Sequence, residues 1–268
     1  MDLELAKRSA LITGSSAGLG AEIARTLARE GARVVVHGRD AGRVHAVVGD
    51  IQRAGAEAAG VTGDLATDER AARVFAEAVA AFGGIDILVN NAGSYAAASW
   101  FETSPQSWLG FFQADVLSAV RLIQAAVPAM RERGFGRIIN IATGLATAPQ
   151  PEMPDYAAAK AALINATVSL AKAVAGTGIT VNAISPGLIA TDGVERVLRE
   201  TARTKGWRAD WDVIQQRWMR EVLRSHLVLR LGKVTEVADL VAFIASPRAG
   251  YIHGANLRVD GGLVSSIN

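Results

Sequence analysis

Short apolar runs alternate with longer stretches of helical periodicity along the 268-residue chain, which restricts it to strand–helix–strand architectures. Ser9-Ala10-Leu11-Ile12 leads into a stretch where Ile23, Ala24, Leu27 and Ala28 recur at helical spacing. The β-branched run Arg33-Val34-Val35-Val36-His37 follows, then a helix over 40–54 that Gly55 stops. Further strands are predicted at 57–62, 85–89, 137–142, 180–184 and 256–259, and helices at 68–82, 105–133, 155–175 and 236–245. Asp68 is the predicted N-cap of its helix, and Pro128 should kink the helix over 105–133. Strands this apolar are buried on both faces, as in parallel sheets. The expectation is an α/β chain, a single-domain Rossmann fold over 1–268. Its doubly wound parallel sheet has about seven strands, helices on both faces and a ligand crevice at the carboxyl ends of the strands.

Composition excludes several classes of function. Half of the residues are hydrophobic and a fifth are charged, enough for a large core. The net charge is +2 and the basic residues are scattered, without the stripe that nucleic acid binding requires. With no cysteine, disulfides and thiolate metal sites are excluded, and His37, His45, His226 and His253 lack metal-ligand spacing. Met1 to Arg8 lacks the apolar core of a signal peptide, and no apolar run of about 20 residues could span a bilayer. A cytoplasmic protein without membrane or nucleic acid partners is expected.

Thr13-Gly14-Ser15-Ser16-Ala17-Gly18-Leu19-Gly20 joins the first strand to the first helix. Gly14 permits the tight turn, Gly18 a close approach of backbone to a pyrophosphate, and Gly20 close packing of helix on strand. Asp64 follows the third strand, Asn90-Asn91-Ala92-Gly93 the fourth and Pro186-Gly187 the sixth, while Tyr156-x-x-x-Lys160 opens the helix over 155–175. In this order the motifs resemble the short-chain dehydrogenase/reductase family from Lys7 to Gly262, and its 3-oxoacyl-[acyl-carrier-protein] reductases in overall form. The resemblance implies a nicotinamide dinucleotide cradled by Gly14, Ser16, Gly18, Leu19 and Gly20. Asp64 and Leu65 would meet the adenine, and Asn91, with Ala92 and Gly93, would hold the central strands beside the cofactor. Pro186, Gly187, Ile189 and Thr191 would lie along the nicotinamide, and Lys160 would bind its ribose.

One helical turn separates Tyr156 from Lys160. A phenol titrates near pH 10, and a neighbouring ammonium favours the phenolate, so the Tyr156 pKa is expected to fall. Tyr156 would then protonate a carbonyl oxygen as hydride arrives, or deprotonate an alcohol in reverse. Two positions depart from the family pattern. The catalytic serine is replaced by Thr143, which keeps the hydroxyl but adds a methyl that narrows the site. The asparagine of the long helix is replaced by Asp115. The family uses its backbone carbonyl there to hold a water, a role that survives any side chain. The added carboxylate could stabilise the Lys160 ammonium or tie up the proton relay.

NAD enzymes place an acid at the end of the second strand for the ribose 2′-hydroxyl. Here that position is Gly38, followed by Arg39, whose guanidinium suits a 2′-phosphate. NADP(H) is therefore expected over NAD(H), with His37 adding to the phosphate site and Asp40 capping the next helix. The stretches 94–101, 144–155 and 188–233 should line the substrate pocket, the last as a lid insertion. Tyr95, Pro149 and Met153 suggest an apolar pocket. Trp207, Trp211, Ile214 and Trp218 form a helical stripe that either packs on the body or a partner subunit, or covers substrate. Arg196, Arg199 and Arg203 either bind an acidic carrier or form a solvated helix face, and the second is the expectation. The apolar helices over 105–133 and 155–175 imply, with the resemblance, a homodimer or homotetramer. The expected activity is reversible NADPH-dependent reduction of a ketone, with a 3-oxoacyl thioester as a candidate substrate. Oxidation of a sugar, polyol or cyclic alcohol is the enzymatic alternative, and a catalytically weak nucleotide-binding sensor or scaffold the non-enzymatic one.

Overall fold

Strand β1 (Ser9–Ile12) lies third in a seven-stranded parallel sheet, flanked by β2 (Arg33–Gly38) and the central β4 (Ile87–Asn90). The computed structural model describes residues 1–207, 210–221 and 227–265. Beyond β2 lies β3 (Ala58–Thr62), and beyond β4 lie β5 (Gly136–Ile141), β6 (Ile179–Pro186) and an outer strand at Asn256–Val259. The order therefore reverses between β1 and β4, where a doubly wound sheet opens its crevice.

Side-chain alternation along the strands builds two cores. Ile12, Val34 and Val36 face one layer, made by α1 (Gly18–Arg29), α2 (Ala41–Arg53) and a late helix at Val234–Ala245. Leu11, Val35 and Leu88 face the other, made by α3 (Asp68–Phe82), the helix at Ser118–Arg133 and the helix at Pro154–Ala173. The fold is the expected α/β doubly wound parallel sheet with helices on both faces.

Local details differ from expectation. The cap of α3 is Thr67, whose hydroxyl accepts from the Arg70 backbone N–H at 3.4 Å. Asp68 and Glu69 occupy the first turn, where the helix dipole favours acids. The helix over 105–133 is not interrupted at Pro128. It comprises α4 (Pro105–Phe112), one π-turn (Gln113–Leu117) and α5 (Ser118–Arg133), with the Ser118 N–H reaching the Gln113 carbonyl. Pro128 and Gln124 are both exposed, so water can reach the carbonyl that Pro128 leaves unpaired, and α5 runs on unbroken. The π-turn buries Asp115.

Helix α6 (Pro154–Ala173) follows β5, and β6 leads into the insertion. Two short strands, β7 (Ile189–Ala190) and β8 (Gly232–Lys233), pair at its base around α7 (Asp192–Thr204) and α8 (Trp211–Glu221). Trp207, Trp211 and Trp218 pack with Leu198, Ala202, Ile214, Met219 and Leu231 in a small core of the insertion's own. Trp207 precedes α8 rather than belonging to it. His226 lies outside the described residues. Helix α9 (Val234–Ala245) and strand β9 (Asn256–Val259) complete the described elements. Among the described residues no helix is long and apolar enough to cross a membrane.

Candidate active site

Gly14 turns the chain after β1 with φ +62°, and a Cβ there would meet the Ala92 Cα at 2.9 Å. A Cβ on Gly20 would overlap the Gly14 carbonyl and the Asn91 amide. Helix α1 starts with no side-chain cap on Ala17 and no acid in its first turn. Its first N–H groups and positive dipole end are thus left for an anion. Asn91 stitches this turn to β4: its side chain donates to the Thr13 and Gly14 carbonyls at 2.9 and 3.1 Å. The Thr13 hydroxyl accepts from the Asn91 and Ala92 N–H groups at 3.0 and 2.9 Å.

Two cavities meet at Gly14, Ala92, Gly93 and Ser94. The first, about 400 Å³, runs past Ser16, Arg39, Asp64 and Leu65. The second, about 850 Å³, brings together Gly18, Leu19, Gly20 and Asn91 with Thr143, Tyr156 and Lys160. Asp115, Pro186, Gly187 and Thr191 share that wall. Ile189, expected along the nicotinamide, is not on it; its side chain is buried and packs towards Gly232 in the β7–β8 pair. Asp64 is drawn partly towards α3, accepting from the Ala66 N–H at 3.1 Å and from Arg70 at 3.2 Å.

At the end of β2, a Cβ on Gly38 would come 2.6 Å from the Ser16 hydroxyl, so even the first atom of an acidic side chain would crowd this position. Arg39 is exposed on the first cavity's wall, and Asp40 caps α2 by accepting from the Arg43 N–H at 3.0 Å. His37 does not join a phosphate site. It is buried, its Nδ1 accepts from the Gly14 N–H at 3.3 Å, and its Nε2 lies 3.2 Å from the Gly63 carbonyl. This pairing assigns the neutral Nε2–H tautomer. Burial pushes its pKa down to about 4 against the carbonyl's opposing pull. Between about pH 6.5 and 4 the unfolded chain binds a proton that the folded chain refuses. Folding stability should therefore fall by about 3 kcal/mol as pH drops through that window. Urea unfolding at stepped pH should show this loss, and His37→Gln should flatten it.

The Lys160 ammonium donates to the Ile141 carbonyl at 2.9 Å and lies 3.0 Å from Asp115 Oδ1. The two side chains are 5% and 0% exposed. Among the described residues neither Asp115 oxygen has a well-aligned hydrogen-bond donor, so the contact is an ion pair. A Cβ on Gly93 would overlap Asp115 Oδ1 and lie 3.4 Å from Lys160 Nζ. A glycine at 93 thus makes room for a carboxylate beside the lysine. Burial raises the Asp115 pKa, with Lys160 and then the Ser94 backbone opposing.

Tyr156 stands edge-on to Phe111 at 6.0 Å, with the ammonium 5.9 Å from its ring centre. Its hydroxyl hydrogen-bonds Thr143. The expected fall in its pKa is not found. Burial and then the Asp115 charge hold it above the usual phenol range, outweighing the Thr143 hydrogen bond. Asn140 and Thr167 belong to no motif in the sequence. They extend a buried relay in which Asn90 donates to Asn140 at 2.8 Å and Asn140 to Thr167 at 2.9 Å, tying β4 to β5 and α6.

The substrate end is more polar than expected. Tyr95 lines the cavity, whereas Pro149 and Met153 do not. Arg199 and Arg203 pair with Glu195 and Glu200 at 2.6 and 2.7 Å, but Arg196 lines the cavity beside Asp192.

Residues 8–202 match the family model described as short chain dehydrogenase. The chain is 36% identical to the uncharacterized oxidoreductase YvaG of Bacillus subtilis over the full length of both proteins. It is 32% identical to the 3-oxoacyl-[acyl-carrier-protein] reductase FabG of Staphylococcus aureus, over 96% of this chain and 98% of that protein. Among solved structures, L-sorbose reductase from Gluconobacter frateurii complexed with NADPH and L-sorbose is similar over 100% of both chains, with a TM-score of 0.93 and 35% identity.

Proposed function

The chain belongs to the short chain dehydrogenase family and is an oxidoreductase of it, and from that premise we propose that it reduces a ketone to a secondary alcohol with NADPH, reversibly. The observation that carries this reading is the convergence of Tyr156, Thr143 and Lys160 on the cavity that holds the uncapped N-terminus of α1. The glycine turn fits the diphosphate of such a cofactor, because side chains at 14 and 20 would fill the cradle.

When bound, the nicotinamide supplies the hydride that goes to the carbonyl carbon. Thr143 donates a hydrogen bond to the carbonyl oxygen, and Tyr156 gives its proton to that same oxygen. Lys160, held by Ile141 and Asp115, holds the nicotinamide ribose. The cofactor cradle of this reading comprises Gly14, Ser16, Gly18, Leu19 and Gly20, with Asp64, Leu65, Asn91, Ala92 and Gly93. Pro186, Gly187 and Thr191 flank the nicotinamide.

Arg39 supplies the preference for a 2′-phosphate. Replacing it by Ala should raise KM for NADPH about 10- to 100-fold, as loss of a charge-assisted hydrogen bond does, and leave KM for NADH unchanged. Initial rates with the two cofactors check this.

For the substrate, the polar wall formed by Ser94, Tyr95, Thr143 and Arg196 favours a small hydroxylated ketone. The full-length likeness to L-sorbose reductase supports the same class. A 3-oxoacyl thioester is the second reading, favoured by the likeness to FabG. NADPH consumption is to be followed with ketoses, cyclic ketones and an acetoacetyl thioester. Turnover of the thioester alone would overturn the hydroxylated-ketone reading, and cofactor binding without turnover of any ketone would favour the sensor. Self-association belongs to the same proposal, since Leu109 and Phe112 on α4 and Val168 on α6 are exposed.

A further inference from the structure

Asp115 places a carboxylate directly against the Lys160 ammonium. The carboxylate is wholly buried, its Oδ1 3.0 Å from Nζ, with the Ser94 backbone as its other polar neighbour. It reaches the lysine through space that a Cβ on Gly93 would fill, so three elements cooperate in the placement: the π-turn, the end of β4 and α6. An unpaired ammonium 5.9 Å from the Tyr156 ring would draw that tyrosine towards phenolate. Paired with a carboxylate, the same ammonium presents little net charge to the phenol.

The other charged and titratable groups on this cavity do not restore the missing positive field at the phenol. Tyr95, from the loop after β4, adds a repulsive contribution to a Tyr156 phenolate. Asp192 and Arg196 on α7 and Arg43 on α2 are all exposed, so solvent and salt screen them, and Asp192 offsets one of the two arginines.

We infer that Asp115 is a positioning residue that sets the pH range of the reaction: by neutralising Lys160 it keeps Tyr156 protonated, ready to donate to a carbonyl oxygen, and moves to higher pH the ionisation that alcohol oxidation requires. This rests on the reductase reading above. In the reductive direction the Tyr156 O–H bond breaks as the new alcohol O–H bond forms, and the hydride forms the new C–H bond. In the oxidative direction Tyr156 must first lose its proton, which the carboxylate opposes. The family's usual asparagine would leave the ammonium's charge intact.

The test needs no substrate, so it stands whether or not the ketone assignment does. Phenolate absorbance near 295 nm is titrated upward in the wild type and in Asp115→Asn, each against the same protein carrying Tyr156→Phe. The difference isolates Tyr156. Its ionisation should move down by at least about one pH unit in Asp115→Asn, with circular dichroism recorded alongside to mark the pH range in which each variant is folded. Asp115→Ser serves as a second neutral replacement should the asparagine variant fold poorly. An unchanged or upward-moving Tyr156 titration in both variants would overturn the inference. With a substrate in hand, the alkaline rise of alcohol oxidation should move down by the same interval in Asp115→Asn. Oxidation profiles that superimpose would also overturn it. Absence of turnover in the wild type would count against the reductase reading, and the titration would then decide the role of Asp115 by itself.

Discussion

Tyr156→Phe should lower NADPH-dependent ketone reduction by about 10²- to 10⁴-fold, the range that a general acid supplies, while NADPH affinity stays within about threefold. The substitution removes one oxygen. The ring's edge contact with Phe111 survives, so the start of α6 keeps its packing. Lys160 remains anchored on the Ile141 carbonyl and on Asp115, and neither contact involves the lost hydroxyl. The Thr143 hydroxyl loses its partner but retains the Leu145 N–H at 3.3 Å. The reduction would then have an oxyanion with a hydrogen-bond donor and no proton donor. Steady-state rates and a fluorescence titration with NADPH check the two halves separately. Retention of more than about a tenth of the wild-type rate would mean that water or another group delivers the proton.

The middle of the sheet was legible because β1, β2 and β4 are buried on both faces, so they appear as apolar runs such as Val34-Val35-Val36 and Ile87-Leu88-Val89. The glycine turn and the Tyr156/Lys160 pair were legible because both are local: one is a chain of backbone constraints, the other a single helical turn. What escaped depends on groups brought together from distant segments. The π-turn at 113–117 rests on one backbone bond that leaves no pattern in side chains. His37 has the look of a cation in the sequence, and burial beneath the Gly14 turn makes it a neutral linker. The tryptophans have a helical spacing that says one face is covered, without saying by what; the answer is the insertion's own core. The sign of the Tyr156 shift needed Asp115 to be placed against Lys160, and the sequence separation of these residues says nothing of a 3.0 Å contact.

The buried pair makes a second large effect. Lys160→Met should destabilise the protein by about 3–5 kcal/mol at neutral pH, because it strands the Asp115 carboxylate in the interior. The methionine fills most of the lysine's volume, so cavity formation contributes little. Adding Asp115→Asn removes the stranded charge and should recover most of the loss, a coupling that two independent sites would not show. The pH dependence has a definite sign. Burial already raises the Asp115 pKa with Lys160 beside it, and removing the lysine takes away the chief opponent of that rise. A carboxyl whose folded pKa lies above its unfolded value stabilises the fold at low pH and loses that contribution as pH rises. The deficit of Lys160→Met relative to the double variant should therefore be greatest at neutral pH and shrink as pH falls towards about 4, the ordinary carboxylate range. Urea unfolding of the wild type, both single variants and the double variant measures the whole cycle. Equal deficits for Lys160→Met with and without Asp115→Asn would mean that the carboxylate is hydrated once the lysine is gone. A deficit that shrinks on acidification and vanishes in the double variant would identify the stranded charge as its source.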